Sequence, residues 1–406
     1  MERMKVTETF EGISLPGHLH TQESLGFAAA FTFRPTDVLI ATYPKSGEGM
    51  GGHGDSEGTR QDRAGTSGWS GGALLELPAG LGGGRAWRHP DLVPAATEEL
   101  LSPGPLSCCR SVPSPSLVSL GAQGGGTRHC QPSRWYRRGS AMVCHAMVPR
   151  PAALLGPALT PTSAGTTWMQ EILTLLYSLG DARPAKTIPN WERAPWLEQI
   201  YCRQALRDTE SPRLLTTHLP AHVLAPALQR SKAKVIYVAR NPKDVAVSFY
   251  HFHHLAKFLP DPSSFDAFLT QFLEGTVHYG SWFDHVKGWL GQRHLLDILY
   301  VTYEEMHQDL RGTAQRLSKF LGCPLAPETL AALEQHCSFS AMKDNAMTNY
   351  SLIPAEIMDH SQGRFMRKGV VGDWRSHFSP EQNALFNRRY QEEMGDVELP
   401  SQWPMA

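Results

Sequence analysis

An α/β fold, a parallel sheet flanked by helices, is predicted by two features of the sequence. Short, uninterrupted apolar and β-branched runs alternate with helical stretches, and loops bearing glycine or proline join each run to the helix after it. A third feature sets the limits of that domain. Residues 48–164 hold 20 of the 36 glycines and 12 of the 30 prolines of the 406-residue chain, whereas the remainder has the share of an average globular protein.

The first element covers 37–43, Asp-Val-Leu-Ile-Ala-Thr-Tyr. Its apolar run is that of a buried strand, and Pro44 ends it. Beyond the Gly/Pro-rich segment, 166–180 sets Trp168, Ile172, Leu175 and Leu176 on one helical face. It closes on Gly180, a residue suited to the left-handed conformation past a helix end. Residues 234–239, Lys-Val-Ile-Tyr-Val-Ala, form the second buried strand. Pro242 then stands where a first helical turn tolerates a missing N–H, and it opens a helix running through His254. A third strand at 296–302 precedes a helix over 304–321. Ligands of such sheets bind beyond the carboxyl ends of the strands.

Charge and composition exclude several classes. Basic and acidic side chains balance, 38 against 39, so bulk electrostatics gives no reason to expect nucleic acid or a membrane surface as partner. The N-terminus lacks an apolar signal core, and the apolar stretch 25–33 is far shorter than the roughly 20 residues that span a bilayer. Seven irregularly spaced cysteines do not make a disulfide framework. The expectation is a soluble cytoplasmic protein.

The segment 48–164 contains no Lys, Ile, Asn or Phe but ten Arg, a bias toward G/C-rich codons rather than toward folding. Gly47-Glu48 can be encoded with a splice-donor signal and Ala164-Gly165 with an acceptor. Removing 118 codons between them joins Ser46-Gly to Thr166 and leaves 288 residues. The segment reads as a retained intron; the alternative is a true low-complexity insertion, largely disordered in either case. Cys108, Cys109, Cys130, Cys144, His129 and His145 within it lack paired ligand spacing for zinc.

Four stretches carry chemistry. Tyr43-Pro44-Lys45-Ser46-Gly47 at a strand end, resumed as Gly165-Thr166-Thr167-Trp168 at a helix start, can cradle a phosphate through main-chain N–H groups, hydroxyls and an ammonium. Lys45 precedes the glycine, so this is not a Walker A loop, and a magnesium-dependent nucleotide kinase is not indicated. Arg240-Asn241-Pro242-Lys243-Asp244, with Ser248 one turn beyond Asp244, offers a second anion site; the alternative is Arg240 paired to a local carboxylate and Ser248 as a helix surface residue. Arg364-Phe365-Met366-Arg367-Lys368-Gly369 is a basic loop, followed by Gly372-Asp373-Trp374. His218, after the apolar run of 214–217, is placed for proton transfer near neutral pH. His251, His253 and His254 do not share one helix face as metal ligands would, and no carboxylate cluster implies a metal.

Together and in this order, Tyr-Pro-Lys-Ser-Gly…Gly-Thr-Thr-Trp, Arg-Asn-Pro-Lys-Asp-Val-Ala-Val-Ser and Arg-Lys-Gly-Val-Val-Gly-Asp-Trp resemble the cytosolic sulfotransferase family over nearly all of 1–47 and 165–406. Trp191-Glu192-Arg193-Ala194-Pro195-Trp196 is similar to its hydroxysteroid branch. The resemblance implies a P-loop NTPase-like sulfotransferase fold. It also implies sulfuryl transfer from 3′-phosphoadenosine 5′-phosphosulfate to a hydroxyl or amine of a small apolar acceptor such as a steroid or phenol, without a metal. By that resemblance Lys45, Ser46, Gly47, Thr166 and Thr167 would hold the 5′-phosphate, with Lys45 also at the bridging oxygen. Arg240, Ser248, Arg367, Lys368 and Gly369 would hold the 3′-phosphate; Trp168, Tyr303 and Phe339 would line the adenine site; and His218 would take the acceptor proton.

Three departures stand out. Thr216 occupies a position where the family often has lysine, and the family's homodimer segment is matched only loosely by Arg375, Ser379, Pro380 and Ala384. The third is the insertion, which breaks the phosphate loop. Converging N–H groups need consecutive residues, so the 406-residue form is expected to bind the donor weakly. A non-catalytic or unstable product of an unspliced transcript is the competing reading.

Overall fold

The computed structural model describes residues 6–46, 164–207, 209–400 and 403–405. The Gly/Pro-rich segment and Gly47 lie outside the described residues, except that the backbone of Ala164 begins a helix. In chain order the elements are a hairpin of β1 (Thr7–Phe10) and β2 (Ile13–Pro16), α1 (Gln22–Ala29), β3 (Val38–Thr42), α2 (Ala164–Tyr177), α3 (Arg183–Thr187), α4 (Asn190–Arg193), α5 (Cys202–Ala205) and β4 (Leu214–Thr217). There follow α6 (Ala221–Ser231), β5 (Lys234–Ala239), α7 (Pro242–Leu255), α8 (Phe265–Glu274), α9 (Trp282–Leu290), β6 (Ile298–Thr302) and α10 (Tyr303–Gln308). Then come α11 (Leu310–Leu321), α12 (Pro327–His336), α13 (Phe339–Lys343), a 3₁₀ turn (Asp373–Ser376) and α14 (Pro380–Met394).

The expected α/β architecture is present. β4, β3, β5 and β6 lie side by side in that order, all parallel, with Val38 opposite Leu214 on one side and Lys234 on the other. Every residue of β3 is buried, as a central strand covered on both faces requires. The chain leaves β3 toward β4 on one side, while β5 continues to β6 on the other. The carboxyl ends of β3 and β5 therefore flank a topological switch point, where open sheets place ligands.

Two expectations change. The helix at 166–180 was expected to bury one stripe, but its residues are buried all round: Met169 and Leu173 are as inaccessible as Trp168, Ile172, Leu175 and Leu176. Its polar residues are paired inside, Gln170 with Asn190 and Thr216, and Glu171 with Arg193 and with His336 at 2.9 Å. The helix over 304–321 is two helices. Asp309 ends α10 and caps α11, its carboxylate accepting the Gly312 N–H at 2.8 Å, so a side-chain cap competes with continuation of the helix. Gly180 lies past α2 at φ +88° and donates its N–H to the Leu175 carbonyl. Among the described residues no helix is long and apolar enough to cross a membrane.

Candidate active site

The carboxyl end of β3 turns through Tyr43-Pro44-Lys45-Ser46, closed by a hydrogen bond from the Ser46 N–H to the Tyr43 carbonyl at 3.2 Å. Proline suits the first central position of such a turn, and the second needs a positive φ that glycine normally supplies. Here Lys45 supplies it, at φ +66°, a strained conformation for a side-chain-bearing residue and of the kind found at functional sites. Lys45 is buried, with its ammonium 4.5 Å from the Phe365 ring centre and 4.9 Å from that of Phe252. The ring faces stabilise a buried cation at this position. The Ser46 hydroxyl is buried and has no hydrogen-bond partner among the described residues.

Thr166, Thr167 and Trp168 occupy the first turn of α2, all fully buried. Thr167 accepts from the Asn190 side chain at 3.4 Å, so its hydroxyl is engaged by the scaffold. Trp168 meets Tyr303 edge to face at 5.8 Å, and Arg240 lies 4.4 Å above the other partner, Tyr303. Phe339 opens α13 and carries the Lys343 ammonium 5.5 Å from its ring centre.

Arg240, just past β5, is almost fully buried and reaches the carbonyls of Val370 at 3.2 Å and Lys45 at 3.5 Å. It thus bridges the two strand ends at the switch point. Asn241 caps α7 by accepting the Lys243 N–H, and Pro242 begins the helix, which carries Ser248 inward. A cavity of about 340 Å³ is lined by Lys45, Ser248, His251, Phe252, Arg364 and Arg367 among others, so three of the four sequence motifs meet in one space. His254 also lines it, while His253 is a core residue bonded to the Pro260 carbonyl at 2.8 Å. No group of three or more metal-binding side chains occurs among the described residues.

The basic loop is held by two carboxylates, Asp244 and Asp373, whose partners their sequence motifs did not reveal. Asp244 accepts the N–H groups of Gly372 at 2.7 Å and Trp374 at 3.0 Å, fastening the loop to α7. Asp373 takes Arg367 at 2.5 Å and Lys368 at 2.7 Å. Burial raises the Asp373 carboxyl, but the hydrogen bonds from Lys368 and Arg367 and the charge of Arg367 outweigh it and hold the group at about 2. Gly369 sits at φ +71°, a conformation open to glycine. Spacing gives no sequence signal for the Asp244 clamp, which joins residues 128 and 130 positions apart, whereas Asp373 stands only six and five positions from Arg367 and Lys368.

His218 follows β4 and is fully buried. Its Nδ1–H donates to the Thr42 carbonyl at 2.7 Å, which leaves Nε2 as the ring nitrogen that carries the lone pair of the neutral form. Its main-chain N–H donates to Glu198 at 2.8 Å, and Glu198 also accepts from the Thr217 hydroxyl at 2.9 Å. Burial pushes Glu198 up to about 7 against the opposing pull of these bonds. Two further buried imidazoles are kept neutral nearby by burial, His285 at about 3 and His20 at about 4. Thr216, where the family often has lysine, donates to the Ala194 carbonyl at 2.8 Å and accepts from Gln170 at 2.9 Å, a wholly structural use of the side chain.

A phosphate-suited turn, a stacked arginine and a carbonyl-anchored histidine converge on one switch point, and comparison with known proteins gives the matching lineage. A sulfotransferase-domain family model matches residues 158–398. The chain belongs to the sulfotransferase family. It is 48% identical to human Sulfotransferase 2B1 over 236 residues, 58% of this chain and 65% of that protein, so the match spans about two thirds of that relative. Against Sulfotransferase 1A1 of Bos taurus it is 45% identical over 251 residues, 61% of this chain and 85% of the relative. Human Sulfotransferase 2A1 is 44% identical over 240 residues, 59% of this chain and 84% of the relative. Among solved structures, mouse sulfotransferase SULT7A1 complexed with PAP shares the fold, with a TM-score of 0.57 at 23% identity over 96% of this chain and 95% of that one. Retinol dehydratase in complex with androsterone and the inactive cofactor PAP gives a TM-score of 0.52 at 26% identity over 59% of this chain and 80% of the other.

Proposed function

We propose that this sulfotransferase moves a sulfuryl group from 3′-phosphoadenosine 5′-phosphosulfate to a hydroxyl or amine of a small apolar acceptor. One observation carries the reading: His218 is anchored through Nδ1 to Thr42, three residues before Lys45, so a proton acceptor and a buried cation are fixed to the same strand end. The residues suit a donor with phosphates at both ends of an adenosine. Lys45 and Ser46, with Thr166, would take the 5′ end; Arg240, Ser248, Arg367, Lys368 and Gly369 the 3′ end; Trp168 and Tyr303 the base. The relatives crystallised with PAP support that donor. When bound, the donor supplies the sulfuryl group and a phosphate that can leave.

The chain's own residues then divide the work. Nε2 of His218 receives the acceptor proton, and the buried Lys45 ammonium stabilises negative charge growing on the departing phosphate oxygen. Both effects are strong because the site is shielded from water. The Thr42 carbonyl fixes the ring and favours the imidazolium that forms. Steroid and phenol acceptors both remain in view, since the 2B1, 1A1 and 2A1 relatives are nearly equally similar. A cytoplasmic location accords with a family of this kind. The loose match of Arg375, Ser379, Pro380 and Ala384 to the family's dimer segment gives little support to a homodimer through 375–384.

We also propose that 48–164 is retained intron sequence, supported by its composition, which lacks Lys, Ile, Asn and Phe and favours residues with G/C-rich codons. Sequencing of native messenger RNA tests this: a dominant message that keeps those codons overturns it. The catalytic reading is tested in the 288-residue form with His218→Gln. Transfer from radiolabelled donor should fall at least 100-fold while affinity for adenosine 3′,5′-bisphosphate stays within about twofold. Transfer that survives the substitution removes His218 from the chemistry.

A further inference from the structure

His20, in the turn between β2 and α1, is fully buried and plays no part in the scheme above. Its Nδ1 lies 3.0 Å from the Pro16 carbonyl; a carbonyl only accepts, so Nδ1 carries the hydrogen. Nε2 is then a pure acceptor. It has no hydrogen-bond partner among the described residues. Burial holds the ring neutral, at about 4, so the lone pair on Nε2 persists across the physiological range. The position is next to the chemistry: His20 meets Tyr279 edge to face at 5.7 Å, and Tyr279 meets His218 in the same way at 5.6 Å. The Tyr279 hydroxyl is likewise buried without a partner among the described residues, as is the indole N–H of Trp196, whose ring lies 6.2 Å from His218.

A buried polar atom left unmatched is costly, because its hydration is lost and nothing replaces it. Three around one proton acceptor amount to a hydrogen-bonding template waiting for a complement. Nε2 of His20 can be matched only by a donor, whereas Trp196 can be matched only by an acceptor and Tyr279 by either. An entirely apolar acceptor body leaves His20 unsatisfied, and one that presents an O–H or N–H to it recovers the cost.

We propose that His20 is a specificity-determining residue that selects acceptors bearing a second hydrogen-bond donor, a diol or amino alcohol rather than a simple monohydroxyl compound. The inference rests on the sulfotransferase reading for the identity of the acceptor site, and it deepens that reading. Nε2 is sealed from solvent in this structure, so an acceptor must part the packing around the ring to reach it. A site built to receive a hydrogen bond discriminates against an analogue lacking it far more sharply than an apolar pocket discriminates by shape.

The test uses the full 406-residue chain and direct binding, with and without adenosine 3′,5′-bisphosphate. Two probes are titrated by calorimetry: a rigid steroid diol, and the same skeleton with the second hydroxyl replaced by hydrogen. The diol should bind at least tenfold more tightly than the mono-ol. His20→Leu should abolish that ratio by weakening the diol alone, and His20→Gln, which keeps an acceptor oxygen, should retain part of it. Unfolding temperatures of the variants confirm that the comparison is made on folded protein. Equal binding of the two probes, failure of both to bind, or a preference that persists in His20→Leu overturns the assignment. Loss of bisphosphate binding alone strikes the donor reading instead and leaves the diol ratio measurable.

Discussion

The two corners proposed to bind the donor's phosphates are built in opposite ways. At the β5 end, Arg240, the cap of α7 and Ser248 follow one another without interruption, and Asp244 ties the distant basic loop to them through two main-chain N–H groups. At the β3 end, Lys45 and Ser46 belong to one arm of the motif and Thr166 and Thr167 to another, with 119 residues of sequence between Ser46 and Thr166. Each arm has kept its local form, the positive-φ turn on one side and a buried helix on the other. Local form is set by neighbours in sequence, but a phosphate cradle needs successive N–H groups converging on one point, and only an unbroken loop enforces that.

The largest effect should come from mending the interrupted corner. Deleting 118 residues to rejoin Ser46-Gly to Thr166 is expected to raise sulfuryl transfer at least about 100-fold, since misplacement on the scale of an ångström costs that much. Loop entropy is the smaller obstacle: lengthening a loop from about 5 to about 120 residues costs roughly 2.8 kcal/mol. Equal transfer rates for the two lengths would mean that the split corner assembles unaided.

The proposed base, His218, is fixed to the β3 end through Thr42, which precedes the interruption, and its partner Glu198 lies wholly beyond it, so this support should behave identically in both lengths. Glu198, raised from 4.5 to about 7, binds a proton more tightly folded than unfolded. Between those values the native state holds more protons, so this group's contribution makes stability decline as pH rises from about 4.5 to about 7. Glu198→Gln should remove that decline, worth on the order of 3 kcal/mol, in urea titrations at pH 4.5 and 8. An unchanged pH slope would show that Glu198 is ionised at ordinary carboxylate pH.

The clamp on the continuous corner comes next. Asp244→Ala leaves the Gly372 and Trp374 N–H groups without their acceptor and should weaken bisphosphate binding about tenfold. Unaltered affinity in a folded variant would remove the loop from the site. The smallest effect is expected at Asp373, which competes with any phosphate for Arg367 and Lys368. Asp373→Asn should tighten bisphosphate binding about two- to threefold. It should also flatten acid unfolding, because a carboxyl held at about 2 stabilises the fold above its unfolded value near 3.9 and that contribution is lost as pH falls through about 2. Weaker binding in this variant would make Asp373 a support of the loop rather than a competitor.

Much of this was legible in the chain. The strand at 234–239 is found with the bounds read from its apolar run, and the strand at 37–43 loses one residue at each end, Asp37 being withdrawn into a buried ion pair with Arg213. The helix after Pro242 starts where proline at the first position says it must. Less legible were features that depend on what covers a segment. Nothing in 166–180 marks Met169 as buried, because the burial comes from elements packed on the other side of the helix, and nothing near Asp309 outweighs the helical pattern except its own carboxylate cap.

The sequence by itself determined the alternation of strands and helices, the residue types at each strand end and the foreign composition of 48–164, all of which follow from short-range periodicity and composition. Tertiary structure alone decided that β3 and β5 are neighbours, so that Arg240 meets the Lys45 carbonyl, that Thr42 orients His218, and that His20 stands beside Tyr279 with an unmatched nitrogen. The physical reason is that a hydrogen bond or a ring contact depends on distance in space, and the parallel sheet brings together residues that the chain keeps far apart.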